Sequence, residues 1–367
     1  MNMFLTGITL HNFKNIAHAQ LDFSDKINCI SGRNGAGKTN LLDAVYYLSM
    51  TKSFFSVSDR YVYGYDADEM TLCGNYKMEN GEVEKISCSV KRSGEKTFRR
   101  GAKVYSRFSE HVGMIPIVMV SPLDSALIND SGEERRKYMN FILAQTDREY
   151  LRHVQAYNQL LVQRNKLLKS ESCQDMLLDT LSDMLSPHAS YIHQARKELC
   201  ERLQPLIQDF YSKLSACDES VSMTYQSDLE EAPLVELLRR DAAKDRILRY
   251  TTSGVQRDEI LFMLDDHPIR KCGSQGQQKC FLLAMKLAQF VFMKEIYRRT
   301  PILLLDDVFD KLDMTRVEAL LKIVSTLDFG QIFITDCNKV RLKEISLRLG
   351  APCRSFEVEK GEITQLC

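Results

Sequence analysis

A chain of 367 residues accommodates one large or two ordinary domains, and 44% hydrophobic residues supply a sizeable core. Lys plus Arg and Asp plus Glu number 49 each, so the zero net charge excludes a globally basic coat for polyanions but not a local basic face. The 11 cysteines form no C-x-x-C pair and no zinc-spaced cluster, no apolar run spans a bilayer, and the first residues do not read as a signal peptide, so the expectation is a cytoplasmic protein with reduced thiols and no membrane partner.

In chain order, residues 1–125 are rich in strands. Met3 to Leu10, Ala19 to Phe23 and Lys26 to Ile30 read as the first three. The third runs into Gly32-Arg33-Asn34-Gly35-Ala36-Gly37-Lys38-Thr39, which fits the phosphate-loop pattern G-x-x-x-x-G-K-[ST]. Glycines there let backbone N–H groups face a phosphate, Lys38 reaches the β- and γ-phosphates, and the Thr39 hydroxyl is suited to Mg²⁺. Asn40 to Leu48 reads as a helix with an apolar face, so strand, loop and helix follow in the order that nucleotide binding requires. Met70 to Lys77 and Val83 to Lys91 read as strands joined by an Asn80-Gly81 turn, Lys103 to Tyr105 as a short strand, and Ile115 to Val120 as a buried one ended by Ser121-Pro122. Between Lys91 and Arg107 lie seven basic residues, Lys91, Arg92, Lys96, Arg99, Arg100, Lys103 and Arg107, with Glu95 as the one acid and Phe98 and Tyr105 interleaved. A solvated hairpin tip and a face for nucleic-acid phosphates explain this segment equally well.

Residues 126–250 read as mostly helical. Leu151, Val154, Tyr157, Leu161 and Leu168 predict one amphipathic helix from about Glu133 to Lys169, a bend at residues 170–173, and a second helix from about Gln174 to Lys213 with Pro187 as a kink. An antiparallel arm and two helices in a globular core both remain open. Residues 251–367 return to α/β, with a helix from Gln275 to Arg299, a strand from Pro301 to Leu305, a helix near Thr315 to Leu327 and a strand from Gln331 to Thr335.

The run Ile302-Leu303-Leu304-Leu305-Asp306-Asp307 reads as a buried parallel strand whose carboxyl end meets a ligand; acids that merely cap the next element are the alternative, which the phosphate loop disfavours. Asp306 is a candidate Mg²⁺ ligand through water, and Asp307 a candidate to orient or deprotonate attacking water. The interval of about 267 residues from Lys38 to Asp306 implies that the helical stretch is inserted into one ATPase core. Gly273-Ser274-Gln275-Gly276-Gln277-Gln278-Lys279 precedes a helix and offers a second phosphate site, as if two chains enclose each ATP; a polar helix cap is the alternative. His11, His111 and His153 show no ligand spacing.

Taken together, the sequence resembles the RecF family of ABC-type ATPases, related to SMC heads, over essentially its whole length. Ile8 to Asn15 is similar to the family's opening, Gly32 to Thr39 to its Walker A loop, and Ser131 to Tyr138 to its Arg-Arg segment. Leu160 to Asn165 resembles its Gln-Arg-Asn run, Ser274 to Gln278 its signature, Asp306-Asp307 its Walker B pair, and Asp310 to Asp313 its D-loop. The resemblance implies a P-loop ABC-type α/β head of two lobes with an inserted helical subdomain. It further implies ATP and Mg²⁺ as cofactors, with catalytic roles for Lys38, Asp307 and, across a dimer, Ser274. The implied activity is slow ATP turnover coupled to binding of single- and double-stranded DNA without sequence specificity, at gaps or junctions, as an ATP-dependent homodimer in recombinational repair, with RecR- and RecO-type partners. Lys91, Arg92, Arg99, Arg100 and Lys103 are the candidate DNA contacts. Departures from the pattern are Val255 and Gln256 in place of a Pro-His pair, and Lys311 in place of a D-loop Glu. A transporter ATPase lacks support in a Q-loop or switch His, and a structural SMC-type tether wants a far longer insertion.

Overall fold

The computed structural model describes residues 3–64, 66–170, 174–215, 217–309, 312–326 and 329–366. Strands β1 (Met3–Phe13), β2 (Ile16–Asp22) and β3 (Ile27–Gly32) lead into helix α1 (Lys38–Met50). Next come β4 (Glu69–Met78), β5 (Val83–Lys91), β6 (Lys96–Arg100), β7 (Lys103–Val104) and β8 (Ile117–Val120). The helices α2 (Ala126–Asn129), α3 (Gly132–Thr146), α4 (Arg148–Lys169) and α5 (Asp175–Ser215) follow. Then β9 (Val221–Gln226), α6 (Leu234–Arg240), α7 (Ala242–Leu248), β10 (Glu259–Leu264), β11 (His267–Pro268) and α8 (Ile269–Cys272) lead to α9 (Gln275–Tyr297). The last elements are β12 (Ile302–Asp306), α10 (Met314–Thr326), β13 (Ile332–Asp336), α11 (Lys339–Leu349), β14 (Cys353–Glu359) and β15 (Glu362–Leu366).

The chain divides into two compact units: Met1–Asp124 with Lys213–Ser215 and Gln289–Cys367, and Ser125–Ser212 with Ala216–Ala288. In the first, an antiparallel sheet runs β2-β1-β4-β5-β6-β7 and a second sheet runs β15-β14-β3-β13-β12-β8. The five strands from β14 to β8 are parallel, and β15 is antiparallel at the edge. Every residue of β3, β12 and β13 is buried; β12 and β13 are apolar up to their polar carboxyl ends, whereas β3 also buries Asn28, whose side chain bonds the Ser24 backbone, and Ser31, which donates to the Phe356 carbonyl. Helix α1 touches strands of both sheets. Its buried residues, among them Leu41, Leu42, Val45, Tyr46, Tyr47 and Leu48, surround the axis, so it is a core helix without a polar face. Its one buried acid, Asp43, is compensated by Lys14 at 2.6 Å, the Ser53 hydroxyl at 2.6 Å and the Phe54 N–H at 2.7 Å. Gln331 ties the sheets together: its Oε1 accepts from the Leu5 N–H at 2.8 Å and its Nε2 donates to the Leu5 and Ser24 carbonyls.

In the second unit, one helix from Glu133 to Lys169 was the expectation, but the chain forms two. Asp147 interrupts them at φ −139° and caps α4 by accepting from the Glu149 and Tyr150 N–H groups. The buried face of α4 is Tyr150, Tyr157, Leu160, Arg164 and Leu168; it shares Tyr157 and Leu168 with the predicted stripe but replaces Leu151, Val154 and Leu161, and it includes a cation that hydrophobic periodicity passes over. Residues 171–173, part of the expected bend, lie outside the described residues. Helix α5 continues through Pro187 and Pro205; buried Leu185, Ala189, Ile192, Leu199, Leu203 and Ile207 hold it against the unit despite the lost backbone donors. Arg164 donates to Asp245 of α7 at 2.7 Å and to Thr251 at 2.8 Å, so α4 packs within the unit instead of projecting as an arm. Residues 251–288 cluster in this unit, where β10 pairs with β9.

Candidate nucleotide-binding site

The loop from Gly32 to Gly37 connects the carboxyl end of β3 to the N-terminus of α1, where helix dipole and exposed N–H groups favour an anion. Lys38 opens α1, is 4% exposed, and folds back over the loop, its Nζ donating to the carbonyls of Gly32 at 3.0 Å and Arg33 at 3.4 Å. The Asp307 carboxylate lies 3.9 Å from the same Nζ. Gly37 sits at φ +120°, and a Cβ there would meet the Asn15 side chain at 2.8 Å.

That close approach is a brace which the loop motif does not reveal. The Asn15 Nδ2 donates to the Ala36 carbonyl at 3.0 Å, its Oδ1 accepts from Asn40 at 2.7 Å, and the Gly361 N–H, from the β14–β15 turn, donates to the same Ala36 carbonyl at 2.9 Å. Gly361 has φ +88°, and a Cβ there would fall 2.0 Å from the Asn15 carbonyl oxygen. A glycine at a strand turn near the C-terminal end and an asparagine after the first strand were the available signals; only the fold relates them to the loop.

Strand β12 delivers the diacid. The Thr39 hydroxyl donates to Asp306 at 3.0 Å, joining positions 267 apart in the chain. Thr335, on neighbouring β13, donates its hydroxyl to Asp306 Oδ1 at 2.7 Å and accepts from the Asp307 N–H at 3.0 Å. Burial pushes the Asp306 carboxyl above its ordinary value, and the hydrogen bonds from Thr335 and Thr39 pull against that rise. Asp307, just past β12, is held at φ +46°, a left-handed conformation uncommon for a residue with a side chain. The hard oxygens of Thr39 and Asp306, brought together at one point, are donors of the kind Mg²⁺ takes directly or through water.

Three comparisons bear on this site. A family profile described as an AAA ATPase domain matches residues 3–166. The DNA replication and repair protein RecF of Bacteroides fragilis is 43% identical over 365 residues, covering 99% of each chain. The chain belongs to the RecF family. RecF of Parabacteroides distasonis is 44% identical over 361 residues, 98% of this chain and 99% of that one. A solved structure of the recombination mediator protein RecF-ATPrS in the RecFOR pathway superimposes with a TM-score of 0.89 at 26% identity, covering 100% of this chain and 99% of the other. The Pyrococcus furiosus Smc head, at 14% identity and a TM-score of 0.58 over 99% of this chain, shares the fold. The expected α/β P-loop ABC-type ATPase head, with helices added to its sheets, is therefore the fold of this RecF-family chain.

The remaining motifs of this RecF-family member divide into supports and exposed groups. Ser274 is exposed at the start of α9 and forms a capping box, its N–H donating to Gln277 Oε1 at 2.7 Å while its Oγ accepts from the Gln277 N–H at 3.2 Å. In the Arg-Arg segment, Arg135 pairs with Glu259 at 2.7 Å and Arg136 donates to the Asp258 carbonyl at 2.8 Å, bracing the start of β10. Asp258 pairs at 2.5 Å with buried Arg196, which also donates to the Val255 carbonyl. Gln256 accepts from the Tyr157 hydroxyl and donates to the Ser253 carbonyl at 2.8 Å, locking its own loop. Asp310 and Lys311 lie outside the described residues.

The basic segment is less basic in space than in sequence. Lys91 pairs with Glu95 at 2.8 Å, Arg92 approaches Asp68 at 4.0 Å, Lys96 pairs with Asp59 at 2.8 Å, Arg100 with Glu84 at 2.5 Å and Lys103 with Glu110 at 3.4 Å. Four of those five acids come from outside residues 91–107, where a local count could not see them. Phe98 and Tyr105 are buried against His111, so they are core residues rather than stacking platforms for bases. Arg99 is exposed to solvent.

Proposed function

We propose that this RecF-family protein binds ATP with Mg²⁺ at Gly32, Arg33, Asn34, Gly35, Ala36, Gly37, Lys38 and Thr39, turns it over slowly, and uses the bound nucleotide to control a homodimer on DNA during replication and repair. The observation that carries this reading is the Thr39–Asp306 contact at 3.0 Å, which unites the loop and the diacid strand at one point. Relatives named as DNA replication and repair proteins and a RecF structure with ATP support the biological setting.

In this reading the loop N–H groups and Lys38 hold the β- and γ-phosphates, and Lys38 exchanges its carbonyl partners for them. Thr39 and Asp306 would hold Mg²⁺, which when bound neutralises phosphate charge. Asp307, beside Lys38, accepts a hydrogen bond from water and aims it at the γ-phosphorus. Its side chain is one methylene shorter than Glu, so turnover is slow. Ser274, exposed at a capped helix start, completes the site on a second copy. Exposed Arg99, with Lys91, Arg92, Arg100 and Lys103 exchanging acids for phosphates, supplies the sequence-independent DNA contact; RecR- and RecO-type proteins are the proposed partners in loading a recombinase.

Titration with a fluorescent ATP analogue, paired with gel filtration in ATP and gapped DNA, tests the reading. Lys38→Ala is expected to weaken ATP binding by about 10–100-fold and abolish the ATP-dependent dimer. Wild-type affinity and dimerisation in that variant would refute the assignment.

A further inference from the structure

Cys29 and Cys353 bring their sulfurs to 3.7 Å across the parallel strands β3 and β14. Cys29 is 3% exposed, two residues before the loop strand reaches Ser31. Cys353 is half-buried and forms part of the wall of a cleft of about 420 Å³ whose lining includes Phe4, Phe23, Lys77 and Arg354. Cys353, on the cleft wall, is therefore the more accessible residue of the pair.

The surroundings also divide the two thiols chemically. The Cys353 sulfur lies 3.6 Å from the Arg354 carbonyl, shares a hydrogen bond with the Cys29 sulfur, and is approached by the hydroxyls of Ser346 on α11 and Ser355 on β14. The Cys29 thiol and, after it, these hydroxyls favour a thiolate and hold Cys353 below the ordinary thiol range in spite of its partial burial. The same sulfur–sulfur hydrogen bond, together with burial, pushes Cys29 up, so Cys29 keeps its proton. A stabilised, reachable thiolate beside a protonated, shielded thiol is the arrangement in which one sulfur reacts and the other resolves the product.

We propose that Cys353 is a peroxide-reactive modification site and that Cys29 is its resolving partner. In the first step the Cys353 thiolate attacks hydrogen peroxide; an S–O bond forms, the O–O bond breaks, and hydroxide leaves with the electron pair. Oxidation removes the Cys353 thiolate that held the proton on Cys29; in the second step the hydroxide released in the first takes that proton as water, the Cys29 thiolate attacks the sulfenic sulfur, an S–S bond forms, the S–O bond breaks, and hydroxide leaves. Two electrons pass from the sulfurs to the peroxide, and an added dithiol reverses the change. The cross-link joins the loop strand β3 to β14. It is independent of the ATPase reading, since neither sulfur belongs to the nucleotide site.

The test is peptide mapping by mass spectrometry of the full-length protein after limited hydrogen peroxide, with and without dimedone. The expected result is a Cys29–Cys353 disulfide in the wild type, reversed by dithiothreitol, and a dimedone adduct on Cys353 in Cys29→Ser. Cys353 should react at least about tenfold faster than exposed Cys217, Cys272 and Cys337, a comparison made within the wild type that needs no variant to fold. Equal rates at those four thiols, or oxidation of the wild type without the Cys29–Cys353 linkage, would overturn the proposal.

Discussion

Thr335 uses one hydroxyl twice, donating to Asp306 and accepting from the Asp307 N–H, so it sets the aim of both acids at once. Thr335→Val should lower the ATP hydrolysis rate by roughly 10–100-fold with little change in ATP affinity, and Thr335→Ser should restore it; parallel loss of affinity would place Thr335 in binding instead. Another residue carries a pH signature. His111 is fully buried, its Nε2–H donating to the Leu48 carbonyl at 2.8 Å, and burial lowers it to about 4. The folded state therefore binds fewer protons than the unfolded state between about pH 6.5 and 4. The stabilising contribution is present above that window and is lost as the pH falls through it. Urea denaturation of wild type at pH 7 and pH 5 should show this loss, and His111→Gln should flatten it.

At the scale of elements, an apolar run ending in acids made β12 legible, the Gly-x-x-x-x-Gly-Lys-Thr pattern made the loop legible, and Asn80-Gly81 correctly marked the β4–β5 hairpin, where Gly81 has φ +86°. What the sequence hid depends on polar groups buried by distant partners. Arg164 and Arg196 look like surface positions of amphipathic helices but lie inside, facing Asp245 and Asp258. Asp147 looks like one more helical residue until its side chain is seen capping α4. Arg196→Met should destabilise the fold by about 3–5 kcal/mol, because it strands the Asp258 charge in the interior. A double substitution that also replaces Asp258 with Asn should recover part of that loss in the same denaturation measurement.

At the scale of the whole molecule, the candidate site takes its main residues from segments near 15, 32–39, 306–307, 335 and 361, which is why its motifs were readable and its bracing was not. If dimerisation completes the site, Ser274→Arg should leave ATP-analogue affinity within about twofold of wild type yet abolish the ATP-dependent dimer in gel filtration. A dimer that persists in that variant would remove Ser274 from the shared site. The strand order β14-β3-β13 has a consequence for biosynthesis. The phosphate loop leaves the ribosome early, yet both strands that flank β3 are translated about 300 residues later. At ordinary elongation rates the nascent loop waits about 15–60 s for its neighbours. Ribosome-stalled chains ending before β13 should fail to retain an ATP analogue, which makes nucleotide capture a late checkpoint of synthesis rather than an early one.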